Sequence, residues 1–194
     1  MIVGEHAVVR IADPDDAVFL ARLFDPDMPR AFSLNIRREL QYLTIDDLRE
    51  ALSHKDFRAG LFYTIEDLTG LIRGFFSIKT PLPEVNYSEF LFGLASSEDY
   101  DSPLAKNAME ILERLAFVQK RLNKLVAQCL ENETDFRSLL EARGFTSDGI
   151  QRDVLFTGGR YLNLETFTLF RSDYLAREPI YDESPDMATP RRSP

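Results

Sequence analysis

The spacing of hydrophobic positions along this 194-residue chain changes period several times, and each change predicts an element. Residues 7–11 (Ala7, Val8, Val9, Arg10, Ile11) are β-branched and few, which predicts a strand. Asp13 then supplies a cap, Pro14 the first helical position, and Asp15 and Asp16 negative charge for the helix dipole. Ala17, Leu20, Ala21 and Phe24 follow at helical spacing, so the first helix has one apolar stripe. Residues 25–42, with Pro26 and Pro29, read as irregular. A second helix begins at Thr44, with Asp47 three residues on, presents Leu48, Ala51 and Leu52 on one face, and stops near Lys55. Residues 60–65, 71–79 and 87–95 predict three strands, and the short turn at Glu66 and Asp67 makes the first two an antiparallel hairpin.

The longest helical period covers 102–122. Ser102 caps it, Pro103 sits in its first turn, and Leu104, Ala108, Ile111, Leu112, Leu115, Val118 and Leu122 recur every three or four residues. Residues 124–130 predict a strand. Strand, long helix and strand in that order require a right-handed crossover that sets 87–95 and 124–130 side by side and parallel. A helix over 134–143 turns Phe136, Leu139 and Leu140 inward, and Gly144 ends it in the left-handed conformation with Phe145 in contact behind. Residues 153–156 and 165–170 form a last pair joined through Gly158, Gly159 and Arg160. From Ala176 onward Pro, Asp, Glu, Arg and Ser dominate with little to bury. The expectation is a single domain over 1–175 and a disordered tail over 176–194. The fold class is mixed α/β, with element order β-α-α-β-β-β-α-β-α-β-β.

Composition narrows the chemistry. Hydrophobic residues make up 44% of the chain and include 15 Phe, enough for a substantial core in which Phe62, Phe75, Phe76, Phe90 and Phe92 are expected. Acidic residues outnumber basic ones by 32 to 23, a balance opposite to that of a protein binding nucleic acid by phosphate neutralisation. Cys129 is the sole cysteine, which excludes an internal disulfide and any CxxC motif. With His6 and His54 far apart, a Cys/His metal site is excluded too. The N-terminus has no basic segment leading into an apolar one, and no apolar run approaches the roughly 20 residues that span a bilayer. No membrane partner is expected, and the protein reads as cytoplasmic.

One stretch carries a family signature. Residues 131–145 run from Glu131, Asn132 and Glu133 through Leu139, Leu140 and Glu141 to Gly144 and Phe145, with Asp148 and Gly149 shortly after. Together with Leu115, Ala116 and Phe117 and the strand at Leu125, Val126 and Ala127, this resembles the C-terminal half of the GNAT N-acetyltransferase superfamily. The branch it is most similar to is that of the ribosomal-protein N-terminal acetyltransferases, whose helices end in a like Leu-Glu-x-x-Gly-Phe stretch. Element order extends the resemblance to roughly residues 7–174, while residue-level matching covers about 105–170.

The resemblance implies a specific architecture. Two neighbouring parallel strands splay apart, and their unpaired backbone groups bind the pantetheine arm of acetyl-CoA as an added strand would. Phe92, Gly93, Leu94 and Ala95 would form one wall, with a backbone N–H as oxyanion donor. Ala127, Gln128, Cys129 and Leu130 would form the other. The diphosphate would rest on the start of the long helix at Ser102, Leu104, Ala105 and Lys106. Acetyl-CoA is then the co-substrate and a small-molecule amine or protein N-terminus the acceptor, with a monomer and a homodimer both left open.

The chain departs from the family pattern where the diphosphate would lie. In place of a basic, glycine-rich loop stand Ser96, Ser97, Glu98, Asp99, Tyr100 and Asp101, and the two glycine positions fall on Asp101 and Pro103. Pro103 has no N–H to donate. A carboxylate 4 Å from a phosphate charge costs about 4 kcal/mol at an effective dielectric of 20. These departures raise the alternative of a catalytically inactive relative that keeps the fold as a binding module. The family's frequent Asn, eleven residues before the Gly of Gly-Phe, falls on Glu133, with Asn132 one residue early.

Among side chains able to take part in amine acylation, Glu89 on the first wall is the candidate base and Asn132 the second catalytic candidate. Each has a plainer reading, Glu89 as a surface carboxylate and Asn132 as a turn residue. Tyr87 and Ser88 are weaker candidates than Glu89. Cys129 reads as a buried thiol rather than an acyl relay, and Tyr161 as packing rather than an acid for the leaving thiol. Arg30, Arg37 and Arg38 are either solvated charges or a lure for an acidic substrate. No metal ligands are assigned.

Overall fold

In the computed structural model, residues 1–25, 28, 30–34, 44–53, 62–79 and 85–177 are described. The strands are β1 (Ile2–Val3), β2 (Val8–Ile11), β3 (Tyr63–Glu66), β4 (Ile72–Ile78), β5 (Tyr87–Leu94), β6 (Lys124–Leu130), β7 (Thr146–Thr157) and β8 (Arg160–Phe170). The helices are α1 (Ala17–Leu23), α2 (Ala31–Leu34), α3 (Ile45–Ser53), α4 (Pro103–Arg114), α5 (Thr134–Ala142) and α6 (Arg171–Arg177). One mixed sheet runs β1-β2-β3-β4-β5-β6-β8-β7, antiparallel throughout except where β5 meets β6. This is the expected α/β class, with one more strand, β1, than the hydrophobic pattern announced.

Alternation along the central strands sorts the core into two layers. Phe76, Ile78, Phe90, Phe92, Leu94, Leu125 and Ala127 pack under α4 and α5 with Met109, Leu112, Phe136 and Leu140. Phe75 turns the other way, with Leu91 and Ala95 partly buried beside it, against Leu20 and Leu23 of α1 and Leu48 and Leu52 of α3. The five Phe residues expected in the core are all buried.

Several local predictions are met for their stated reasons. Asp13 and Asp16 form a reciprocal capping box with Pro14 at the first position, ahead of α1. Gly144 is left-handed at φ 77°, and the Phe145 N–H bonds the Leu140 carbonyl at 3.0 Å behind α5. Gly158 and Gly159, both at positive φ, make the two-residue turn between β7 and β8.

Other expectations need correction. The long helix stops at Arg114 and continues only as a π-turn over Leu115–Gln119, so Leu122 lies beyond it although it is buried as predicted. β7 and β8 are far longer than 153–156 and 165–170. Nearly all of β7 is exposed on the sheet edge, so its polar residues carry no apolar alternation to read. The 25–42 segment contains the short helix α2. The boundary at 175 falls inside α6, whose Arg177 is tied to Glu113 at 2.8 Å. Arg37, Arg38, His54 and the tail from 178 lie outside the described residues. No helix among the described residues is long and apolar enough to cross a membrane. Nor does any group of three His, Cys, Asp or Glu among them form a metal site.

Candidate functional site

β5 and β6 pair in parallel only at Tyr87–Lys124, Ser88–Leu125 and Glu89–Val126. Beyond those rungs β5 continues to Leu94 and β6 to Leu130 without pairing, so a slot opens between them. The opposite edges fix which backbone groups face it. Lys79 N–H bonds Glu89 O and Ala95 N–H bonds Arg73 O, so odd-numbered residues of β5 face β4. Arg171 N–H bonds Asn123 O and Glu131 N–H bonds Asn163 O, so odd-numbered residues of β6 face β8. Phe92, Leu94, Gln128 and Leu130 are therefore the residues whose peptide groups line the slot. Gly93 and Ala95, expected on the wall, spend theirs on β4.

Side chains of the chain itself fill the slot. Arg30, just before α2, inserts its guanidinium: Nη1 donates to the Phe92 carbonyl and Nη2 donates to the Gln128 carbonyl at 3.0 Å. One cation thus bridges the two strands where their ladder is missing. Its carbon centre lies 3.4 Å from the ring centroid of Phe136 on α5, and Nε is 3.3 Å from Glu133 Oε2. Nε lacks a hydrogen-bond partner, so this last contact is an ion pair without hydrogen-bond alignment. Glu133 Oε2 accepts from Leu130 N–H at 2.9 Å, and its Oε1 accepts from the Ser33 hydroxyl at 2.5 Å. On the other wall Leu94 N–H donates to the Tyr100 hydroxyl at 3.0 Å.

Both charges are almost withdrawn from solvent, with 6% of the Arg30 and 7% of the Glu133 side chain exposed. Burial is the largest single influence and works against the charge on Arg30, but the facing Glu133 carboxylate, Tyr100 and Cys129 together outweigh it and hold the guanidinium above its ordinary pKa. Burial likewise raises the Tyr100 phenol, against the pull of Arg30 and the Leu94 N–H. The backbone of Arg30 is left-handed at φ 61°, a conformation that costs a side-chain-bearing residue about 1–3 kcal/mol. The guanidinium contacts hold it there.

The slot opens on a cavity of about 370 Å³ whose walls include Arg30, Tyr100, Asn132, Glu133 and Phe136. A second cavity of about 510 Å³ adjoins it, between α5 and the 3-10 turn Ser97–Asp101, and is lined by Glu98, Asp101, Lys106 and Asp135. The start of α4 is occupied from within. Ser102 Oγ accepts from Ala105 N–H at 3.2 Å, Lys106 N–H bonds the Ser102 carbonyl at 3.2 Å, and Pro103 has no donor. Leu104 packs on the core. Lys106 Nζ pairs with Asp101 at 2.8 Å. Of the three acids expected to face a diphosphate, Asp99 turns away to Arg73 at 2.9 Å, leaving Glu98 and Asp101. As these residues stand, they do not fit a pantetheine diphosphate: the Phe92 and Gln128 carbonyls, the Leu94 and Leu130 N–H groups and the Ala105 and Lys106 N–H groups are already bonded, and Pro103 has none to give.

The remaining candidates are placed as follows. Glu89 sits at the last paired rung, at the root of the slot, and binds Lys79 Nζ at 2.7 Å. By alternation its side chain shares the α1–α3 face with Leu91. Asn132 is an exposed turn residue on the cavity wall, while Glu133, the position with the family spacing, takes the buried place beside the slot. Tyr87 is exposed and carries Lys124 near its ring; Tyr161 is exposed beside Phe156 on the β7–β8 hairpin. Arg30, expected with Arg37 and Arg38 as a solvated charge or a lure for an acidic substrate, is instead buried in the slot against Glu133. An arginine in a proline-containing irregular segment reads as solvated, and no local signal marks this one as buried.

Cys129 is buried, and burial pushes its thiol up to about 12. The native protein is therefore expected to resist iodoacetamide at pH 8.5 and to be alkylated rapidly in 6 M guanidinium, as read by mass spectrometry. Because the thiol ionises earlier in the unfolded chain, its contribution to stability is intact below about pH 8.5 and declines as pH rises toward 12.

No protein-family model and no curated protein sequence matches the chain. Solved structures do match its fold. A spermidine N-acetyltransferase SpeG chimera from Vibrio cholerae and hSSAT superposes with a TM-score of 0.71 at 20% identity, covering 87% of this chain and 98% of that one. A probable acetyltransferase aligns with a TM-score of 0.68 at 22% identity, over 89% and 97%. A GNAT-family acetyltransferase from Bacillus anthracis aligns with a TM-score of 0.66 at 12% identity, over 88% and 98%. At these identities the likeness is one of fold: this chain has the fold of the GNAT acetyltransferases.

Proposed function

We propose that this protein is a GNAT-type N-acyltransferase that moves an acetyl or other acyl group from a coenzyme A thioester to a primary amine. The observation supporting this reading is the unzipped parallel pair, in which β5 and β6 share three rungs and then part. The fold shared with acetyltransferases agrees with it. When bound, the thioester supplies an activated acyl carbon, and the chain's task is to orient it and to receive the amine's proton. Glu89 is the proposed proton acceptor, at the root of the slot with its carboxylate steadied by Lys79. Asn132, on the cavity wall, is proposed to contact the donor. Phe92 and Leu94 offer the wall's free-facing peptide groups once Arg30 and Tyr100 release them. Several of the similar structures are spermidine or spermidine/spermine N-acetyltransferases. Spermidine and an N-terminal peptide are accordingly the acceptors to try first.

Isothermal titration of the full chain with acetyl-CoA at low salt tests the reading, and no heat up to millimolar ligand would sink it. If turnover is found, Glu89→Gln is expected to lower kcat by about 10²–10⁴-fold with little change in acetyl-CoA affinity. An unchanged kcat would remove Glu89 from the chemistry.

A second reading, a non-catalytic relative that binds another molecule through the same fold, is favoured by the acidic turn and the occupied start of α4. Under it, replacing Asp101 and Pro103 by Gly and Glu98 by Arg creates acetyl-CoA binding where the unaltered chain has none.

A further inference from the structure

We propose that Arg30 is a displaceable plug: its guanidinium closes the β5–β6 slot in the resting protein and must withdraw before a thioester arm can enter. This rests on the acyltransferase reading and adds a gate to it. Three observations converge. The guanidinium donates to a carbonyl on each wall, at Phe92 and Gln128, so it occupies the groups an added strand would bind. It passes from the α1–α3 layer, where Arg30 begins, through to the ring of Phe136 in the opposite layer, so the slot is blocked across its depth. Its backbone is held at positive φ, so releasing the side chain also relieves a disfavoured conformation.

These features distinguish a plug from an ordinary core ion pair. An arginine serving only stability would gain nothing from a strained backbone, and its partners would not be the unpaired peptide groups of a slot. Glu133 holds the cation from the β6 side while binding Leu130 N–H and Ser33, and so stays in place when the arginine leaves. Closure lowers apparent affinity by the fraction of molecules that are open. If one molecule in ten is open, removing the plug tightens binding about tenfold.

The test uses the full chain and two ligands, acetyl-CoA and S-acetylpantetheine, the latter lacking the diphosphate and so insensitive to the acidic turn. Titrations compare the unaltered protein with Arg30→Met and with Arg30→Met/Glu133→Gln, which removes both buried charges together. The expected result is that both variants bind S-acetylpantetheine at least tenfold more tightly than the unaltered protein. Affinities within twofold of each other overturn the plug and leave the acyltransferase reading standing. Absence of binding of either ligand by the unaltered protein and by every folded variant overturns the acyltransferase reading itself. A measurement free of variants runs in parallel: in ¹⁵N-arginine-labelled protein, the Arg30 guanidinium protons are expected to exchange slowly with water without ligand and rapidly at saturating acetyl-CoA. Continued protection in the bound state overturns the plug even if the variants do not fold.

Discussion

Glu113→Ala is expected to lower the unfolding free energy by about 3–5 kcal/mol, among the largest losses available from a single polar side chain here. Glu113 lies on the inner face of α4 with none of its side chain exposed. Arg143, at the end of α5, donates to it through Nε at 3.0 Å and Nη2 at 2.7 Å, and Arg177 of α6 donates at 2.8 Å. Arg143 also reaches Glu110 at 3.0 Å, and Arg177 bonds the Arg143 carbonyl. One carboxylate thus joins three helices. Its removal takes from Arg143, with 12% of its side chain exposed, its buried carboxylate partner and leaves it beside Glu110, which is 44% exposed. Urea unfolding followed by circular dichroism measures the loss, and the melting temperature should fall by roughly 10 °C. Lys106→Ala is the matched control, because its partner Asp101 is 97% exposed and solvent screening leaves such a pair little to contribute. Equal effects of the two substitutions would refute the assignment of Glu113 as the tie.

Phe136→Ala is expected to cost about 3–5 kcal/mol as well, by a different route. Its ring is buried, stacked on Phe92 at 6.1 Å between centroids and edge-on to Tyr100 at 6.0 Å, with Arg30 over its face at 3.4 Å. Truncation removes buried apolar area, two aromatic contacts and the surface on which the guanidinium rests. The void would lie against the slot, so the substitution is also expected to raise the exchange rate of the Arg30 guanidinium protons. Phe136→Leu, which keeps most of the volume, should cost less than half as much. Denaturant midpoints at constant slope check both; a loss below 1 kcal/mol for Phe136→Ala would mean the ring is not packed as described.

How much of this was legible depends on whether the determinant is local. The parallel adjacency of β5 and β6 follows from a strand, a long amphipathic helix and a strand in succession, because the handedness of the crossover is set by chirality; their parting is implied by the family resemblance, not by that order. The Gly144–Phe145 cap and the Asp13–Asp16 box are short-range motifs, and both were readable. The end of α4 was not. Leu115, Val118 and Leu122 keep an apolar period of three and four, yet the chain widens into a π-turn at Leu115 and turns off with Arg121 at φ 54°. The extent of β7 was hidden because an exposed edge strand needs no apolar face. At the candidate site, Glu133 was visible as the residue at the family spacing, but its burial depends on Arg30, 103 positions earlier in the chain. Pairing across such a distance leaves no periodic trace, and a single charged residue in an irregular segment carries no sign of its partner.

The short seam between β5 and β6 divides the sheet into two plates, one of five strands and one of three, joined by those three rungs and by the α4 crossover. Swinging the plates apart about the seam would break the bonds that Arg30 makes across the gap and the Ser33–Glu133 bond, but no rung of any ladder among the described residues. Backbone hydrogen bonding therefore offers almost no resistance to a wider gape, and the stiffness of the mouth is set by side chains: the Arg30 guanidinium, the Ser33–Glu133 bond, and the packing of Phe136 against Phe92 and Tyr100.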